Sequence, residues 1–147
     1  MAMTIVNPPE LGRPRGYSNG VLAPAGGRAL HVAGQVAWDG AQRIACSDFP
    51  GQFARALENV LAVVRAAGGR PEHLVEMTLY VTDRREYLAA AGAGGALGEA
   101  YRRLMGRHYP AMALVEVAGL LEPEAKVEIQ AVAVLPPAGG EGSSDAD

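Results

Sequence analysis

The chain has 147 residues, 49% of them hydrophobic and 20% charged, with a formal net charge of -3. That length suits one domain with a single core, and the composition is that of an ordinary globular protein. An acidic balance with no block of Lys and Arg disfavours nucleic acid as a partner, and a lone cysteine, Cys46, excludes an internal disulfide.

The first residues, MAMTIVNPPELG, have neither a basic start nor an apolar run of signal-peptide length. No segment approaches the roughly 20 apolar residues that span a bilayer. A cytoplasmic location without membrane contact is the expectation. Residues 1–16 are rich in Pro and Gly and read as an irregular segment. Tyr17 to Ala23 reads as a short strand closed by Pro24-Ala25-Gly26-Gly27. Arg28 to Trp38 then alternates, with Leu30, Val32, Val36 and Trp38 on one face and His31, Ala33, Gln35 and Ala37 on the other. Gly34 interrupts that strand, where glycine marks a bulge or a close approach by a backbone or ligand.

Ser47 or Asp48 can cap a helix with Pro50 in its first turn. Phe53, Leu57, Val60, Leu61 and Val64 keep helical spacing for about five turns, to the stop at Gly68-Gly69-Arg70-Pro71. Leu74 to Val81 alternates as a strand. Asp83 to Glu86 resembles a capping box. The run AAAGAGGALG, residues 89–98, predicts a broken helix or a mobile loop, since each interior glycine costs a helix about 1 kcal/mol relative to alanine. Helical spacing resumes from Leu97 to Met105. Residues 109–117 and 126–135 read as two strands joined by an acidic loop, and each carries a glutamate, Glu116 and Glu128. The end, residues 136–147, is small, polar and acidic and is expected to be disordered.

The order β-β-α-β-α-β-β implies an α+β domain over residues 17–135, with both helices on one face of a sheet of five or six strands. The other face is partly apolar and lacks cover within the chain, which points to association in a closed homo-oligomer.

Gly16-Tyr17-Ser18, Ala33-Gly34-Gln35, Asn59 within ALENVLAVVRAAGG, Tyr80 to Asp83, Tyr109-Pro110-Ala111 and Val127-Glu128-Ile129 together resemble the Rid family, also called YjgF type. The resemblance spans about Tyr17 to Leu135. It implies a chorismate-mutase-like mixed sheet backed by two helices, assembled as a homotrimer around a central barrel with ligand clefts at the subunit interfaces. It also implies hydrolysis of reactive imines or enamines without a cofactor. On that pattern Glu128 corresponds to the carboxylate that activates water and later returns the proton. Tyr17 matches a ligand-holding tyrosine, and Ala33, Gly34 and Ala111 fall at cleft positions. Trp38 contributes if it reaches the cleft.

Three positions depart from the deaminase pattern. Met112 stands where an arginine grips the substrate carboxylate by a two-pronged ion pair. Ala33 replaces a serine, and Gly98 replaces an asparagine after an apparent insertion of about seven residues. The expected substrate is therefore an imine or enamine other than a simple free 2-imino acid, in a pocket shaped by methionine. Arg107 or His108 could supply the missing cation. A non-catalytic trimer that binds a small metabolite is the alternative. RNA cleavage fits poorly with the charge. The bland readings stand beside these: Glu128 as a solvated strand residue next to Lys126, Glu116 as structural, Met112 as core, Tyr17 as an interface residue, and His31, His73 and His108 without metal-ligand spacing.

Overall fold

A computed structural model describes residues 2–138. Four strands form one sheet in the order β3-β6-β4-β5: β3 is Arg28–Gln35, β4 Leu74–Val81, β5 Ala111–Glu116 and β6 Val127–Leu135. A separate ribbon pairs β1, Thr4–Val6, with β2, Gly20–Leu22. The N-terminal segment is therefore not wholly irregular, since Thr4–Val6 is a strand and Pro9–Leu11 a 3-10 turn. The expected sheet of five or six strands is four strands plus this ribbon. A parallel bridge from Ser18 to Ala111 ties the segment after the ribbon's start to β5.

The last two strands of the chain are not neighbours. β5 runs parallel to β4 and β6 antiparallel to it, so β4 lies between them. A parallel pair needs a crossover rather than a hairpin. Two helices supply it: α2, Arg84–Ala91, and α3, Ala96–Met105. The glycine run breaks what would be one helix into these two. Gly94 adopts φ +72°, and a Cβ on Gly95 would stand 2.3 Å from the Ala90 carbonyl oxygen. The broken helix that the glycines predict is thus a tight turn between two helices, and the two helices anticipated become three.

Helix α1, Phe49–Ala66, follows its sequence signals closely. Asp48 accepts a hydrogen bond from the Gly51 N–H at the N-terminus. Phe53, Ala56, Leu57, Val60, Leu61 and Val64 recur every three or four residues and are buried. They meet Met77, Leu79 and Val81 of β4 and Val127, Ile129 and Ala131 of β6, which form the other half of the core. Each such fully buried side chain contributes roughly 1.5–3 kcal/mol.

The opposite sheet face stays open within the chain. Glu76, Thr78 and Tyr80 alternate with the buried residues of β4, and Glu128, Gln130 and Val132 do so on β6; all are exposed or half-buried. Past β6, Pro136 is buried and its carbonyl accepts a hydrogen bond from Arg28 Nε at 2.9 Å, so order extends beyond the expected end of the domain. The rest of the expected disordered end, residues 139–147, lies outside the described residues. Among the described residues no helix is long and apolar enough to cross a membrane.

One buried amide joins α1 to the loop before β6. Gln52, 1% exposed, donates to the Cys46 and Glu124 carbonyls, each at 3.0 Å, and accepts from the Lys126 N–H at 2.8 Å. Gln52→Met keeps the volume and leaves those backbone groups without partners. The expected loss is about 2 kcal/mol, read as a lower urea midpoint at fixed protein concentration; an unchanged midpoint would show that the network contributes nothing.

Candidate functional site

Glu128 sits between Val127 and Ile129, both fully buried, so the pleat sends its carboxylate to the open face. There it lies opposite Tyr80 of β4. On the other side the β3–β6 register shifts between Val32 and Gln35, at the glycine that the sequence marks. A Cβ on Gly34 would lie 2.8 Å from Glu128 Cδ and 2.9 Å from Oε2. The carboxylate therefore rests against bare backbone, in space that any other residue would occupy. Ala33 lies exposed beside it.

The carboxylate of Glu128 takes part in no hydrogen bond or ion pair among the described residues. Lys126, the neighbour that the solvated-strand reading would give it, binds elsewhere: its Nζ lies 2.9 and 3.0 Å from the two carboxylate oxygens of Glu86. Glu86 is thus used in a long-range ion pair within the chain rather than in a capping box, and Asp83 alone caps α2. Glu116 proves structural. Its carboxylate accepts from the Arg84 N–H at 2.8 Å, at the start of α2, where an anion also complements the helix dipole.

Met112 occupies the other face. It pairs in register with Met77, which is 1% exposed and packed under α1. Met77 and Tyr80 are three residues apart on one strand and point to opposite faces. Met112 and Glu128 are therefore separated by the sheet within a single chain. Met112 borders a cavity of about 580 Å³ between β5, α2 and α3. Tyr17 reaches the same cavity because Ser18 is fastened to β5: its N–H donates to the Pro110 carbonyl at 3.1 Å and its hydroxyl to the Tyr109 carbonyl. Ala111 pairs with Glu76 on the open face and marks the boundary between the two regions.

The remaining candidates fall away from this cavity. The Trp38 carbonyl, with that of Val36, accepts from Asn59 Nδ2, and its strand segment pairs with Ile44, away from Met112. His108 Nε2 is 2.6 Å from the Leu74 carbonyl oxygen and is thereby engaged. Arg107 faces a neighbouring cavity of about 690 Å³ with Arg13 and Arg15, a local cationic cluster that the net charge conceals. Among the described residues no group of three His, Cys, Asp or Glu is arranged to hold a metal ion.

Two features escape a reading of the sequence. Tyr101 and Tyr109 stack at 5.2 Å with rings 6° apart, and Tyr101 donates to the His108 carbonyl at 2.6 Å. Burial, with Tyr109 next to it, raises the Tyr101 pKa, so the hydroxyl remains a donor. Arg102 also borders the cavity, with Nη1 3.2 Å from where a Cβ of Gly98 would be. The spacing of four residues on one helix was the available signal for that contact.

Comparison with known proteins agrees with this architecture. Residues 10–135 match the family model described as Endoribonuclease L-PSP. The chain is 32% identical over 108 residues to the 2-iminobutanoate/2-iminopropanoate deaminase of Salmonella typhimurium, covering 74% of this chain and 80% of that one. A solved structure of YyfB from Yersinia pestis, described as a Rid family protein of unknown function, superposes with TM-score 0.77 at 30% identity, over 92% of this chain and all of that one. The structure of Escherichia coli TdcF with bound serine superposes with TM-score 0.62 at 29% identity, over 84% of this chain and 91% of that one.

The contact at Gly34 makes a specific test possible. In Gly34→Ala the new methyl meets the end of a flexible side chain, so the carboxylate swings away while the strand persists. The expected result is an unchanged circular dichroism spectrum and a thermal midpoint within a few degrees, with a crystal structure showing Glu128 turned off the β3 backbone. A Glu128 left in place would show that the glycine does not set its position.

Proposed function

The chain belongs to the Rid (YjgF-type) family, whose model carries the description Endoribonuclease L-PSP, and from that membership we propose that it hydrolyses or tautomerises a reactive imine or enamine other than a simple free 2-imino acid. The observation that carries the reading is the unpaired Glu128 carboxylate, held against Gly34 with no competing cation among the described residues. The deaminase name of the Salmonella relative supports the reaction class.

The chemistry asks little of the protein. Glu128 takes a proton from water as the water oxygen bonds to the carbon of the protonated imine and the C=N electron pair moves to nitrogen, giving a neutral carbinolamine. Glu128 returns that proton to the nitrogen. The C–N bond then breaks, ammonia leaves, and the hydroxyl proton passes to the Glu128 carboxylate and on to solvent, so that a carbonyl remains. A positioned carboxylate contributes typically 10²–10⁴-fold to such proton transfers. The residues are sufficient for these steps without a cofactor, and none is part of the proposal.

Glu128 and the Met112 cavity lie on opposite sheet faces of one chain, and the open face lacks cover. A homotrimer that sets the open face of one subunit against a neighbour's β5 edge would bring the two regions into one cleft. That assembly is part of the proposal. A second reading, a non-catalytic trimer that binds a metabolite, draws on Ala33, Gly98 and Met112, where three polar contacts of the deaminase pattern are absent. Under it the ligand binds saturably and is released unchanged.

Turnover separates the two readings. Wild type should release ammonia from imines generated in situ faster than buffer does, and Glu128→Gln should lower kcat by at least about a hundredfold; a fully active Glu128→Gln would remove the proposed base. Met112→Arg restores a carboxylate-binding group. It should raise kcat/KM toward small free 2-imino acids by about one to two powers of ten, the equivalent of one charged hydrogen-bond partner. No gain would place the specificity elsewhere than residue 112.

A further inference from the structure

The Met112 cavity has a chemical character of its own, readable without reference to any relative. Its volume, about 580 Å³, is that of a small-molecule site. Its floor is apolar, with Met77, Leu97 and Met112, and its wall is aromatic, with Tyr101 stacked on Tyr109. Two arginines border it, Arg15 and Arg102, and no Asp or Glu does. Neither arginine forms an ion pair among the described residues, although Arg103, the next residue after Arg102, pairs with Glu58. Two guanidinium groups beside an apolar cavity without a counter-charge are an arrangement completed by an anion from outside the chain.

Gly98 makes room for one of them. The Arg102 guanidinium lies back along α3 over the glycine, with Nη1 3.2 Å from the position a Cβ would take. A side chain at 98 would contest that space. Within one chain, Arg107 and His108 do not offer the same service, since Arg107 borders the neighbouring cavity and His108 is bonded to the Leu74 carbonyl.

We infer that the cavity binds an amphipathic carboxylate, with an apolar or aromatic body over Met112 and Leu97 and its anionic end at Arg102, assisted by Arg15. The cation is moved from strand β5 to helix α3. The favoured ligand is accordingly one whose carboxylate stands apart from the reacting carbon, across an apolar spacer, which distinguishes it from a 2-imino acid. In calling that ligand the substrate the inference rests on the imine-hydrolase reading, and it is tested on binding so that the two are judged separately. Arg102 is a specificity-determining residue in this scheme and takes no part in bond making.

The probes are 3-phenylpropanoate and its neutral amide, measured by isothermal titration calorimetry on the full chain. Wild type should bind the carboxylate at least about tenfold more tightly than the amide, and the preference should shrink with added salt. Arg102→Gln, an exposed change that leaves the core alone, should remove most of that preference, a loss of about ten- to a hundredfold for the carboxylate alone. Glu128→Gln should keep the preference while abolishing turnover. Equal affinity for the two probes, binding of neither, or a preference that survives Arg102→Gln overturns the inference. A wild type that shows the preference but turns over no imine counts only against the imine reading.

Discussion

The alternation of side chains along β6 is the constraint from which the rest of the molecule follows. Val127, Ile129 and Ala131 face α1 and form, with β4, the sheet side of the core. Glu128, Gln130 and Val132 are then committed to the far side. A shift of one residue would bury a carboxylate and expose the core, so the register is held firmly. The ladder with β3 slips at Gly34, where the missing side chain accommodates the carboxylate. Structure and chemistry meet there with little freedom left.

Position in the sheet order explains the two faces of the site. β5 joins β4 in parallel, so α2 and α3 must cross over the core side and carry their residues to Met112. The carboxylate lies beneath the sheet and the cavity above it. Under the proposed function, the two regions would meet only between copies, and assembly would then be a condition of activity. Equally, the separation leaves each half free to vary. Residues lining the cavity on β5 and α3 can change without disturbing the strand that holds Glu128.

Much of this was legible in the residues themselves, and the exceptions have physical causes. The span of α1, its Asp48 cap and the limits of β4 follow from periodicity and turn chemistry, which are local. The glycine in β3 marked the register shift, while the close approach there comes from the Glu128 side chain rather than from a backbone or ligand. Thr4–Val6 was lost because a three-residue strand leaves almost no periodic signal, and its partner at 20–22 is distant. That β5 and β6 flank β4 depends on long-range pairing, which no local pattern encodes. The Glu86–Lys126 pair was missed for the same reason: a capping box is visible at three-residue spacing, whereas a partner 40 positions away is not. Arg15 and Arg102 went unremarked because an exposed arginine is ordinary until the fold places it beside an apolar cavity.

The pairing of Lys126 with Glu86 bears on the protein's own chemical durability. Arginine outnumbers lysine twelve to one in this chain, so Lys126 carries its single side-chain amine. Carbonyl compounds form Schiff bases with free amines and react far less readily with guanidinium groups. Both carboxylate oxygens of Glu86 engage that amine, and it must leave them before it can condense with anything. An aldehyde or ketone reaching the surface would thereby meet no freely available side-chain amine among the described residues.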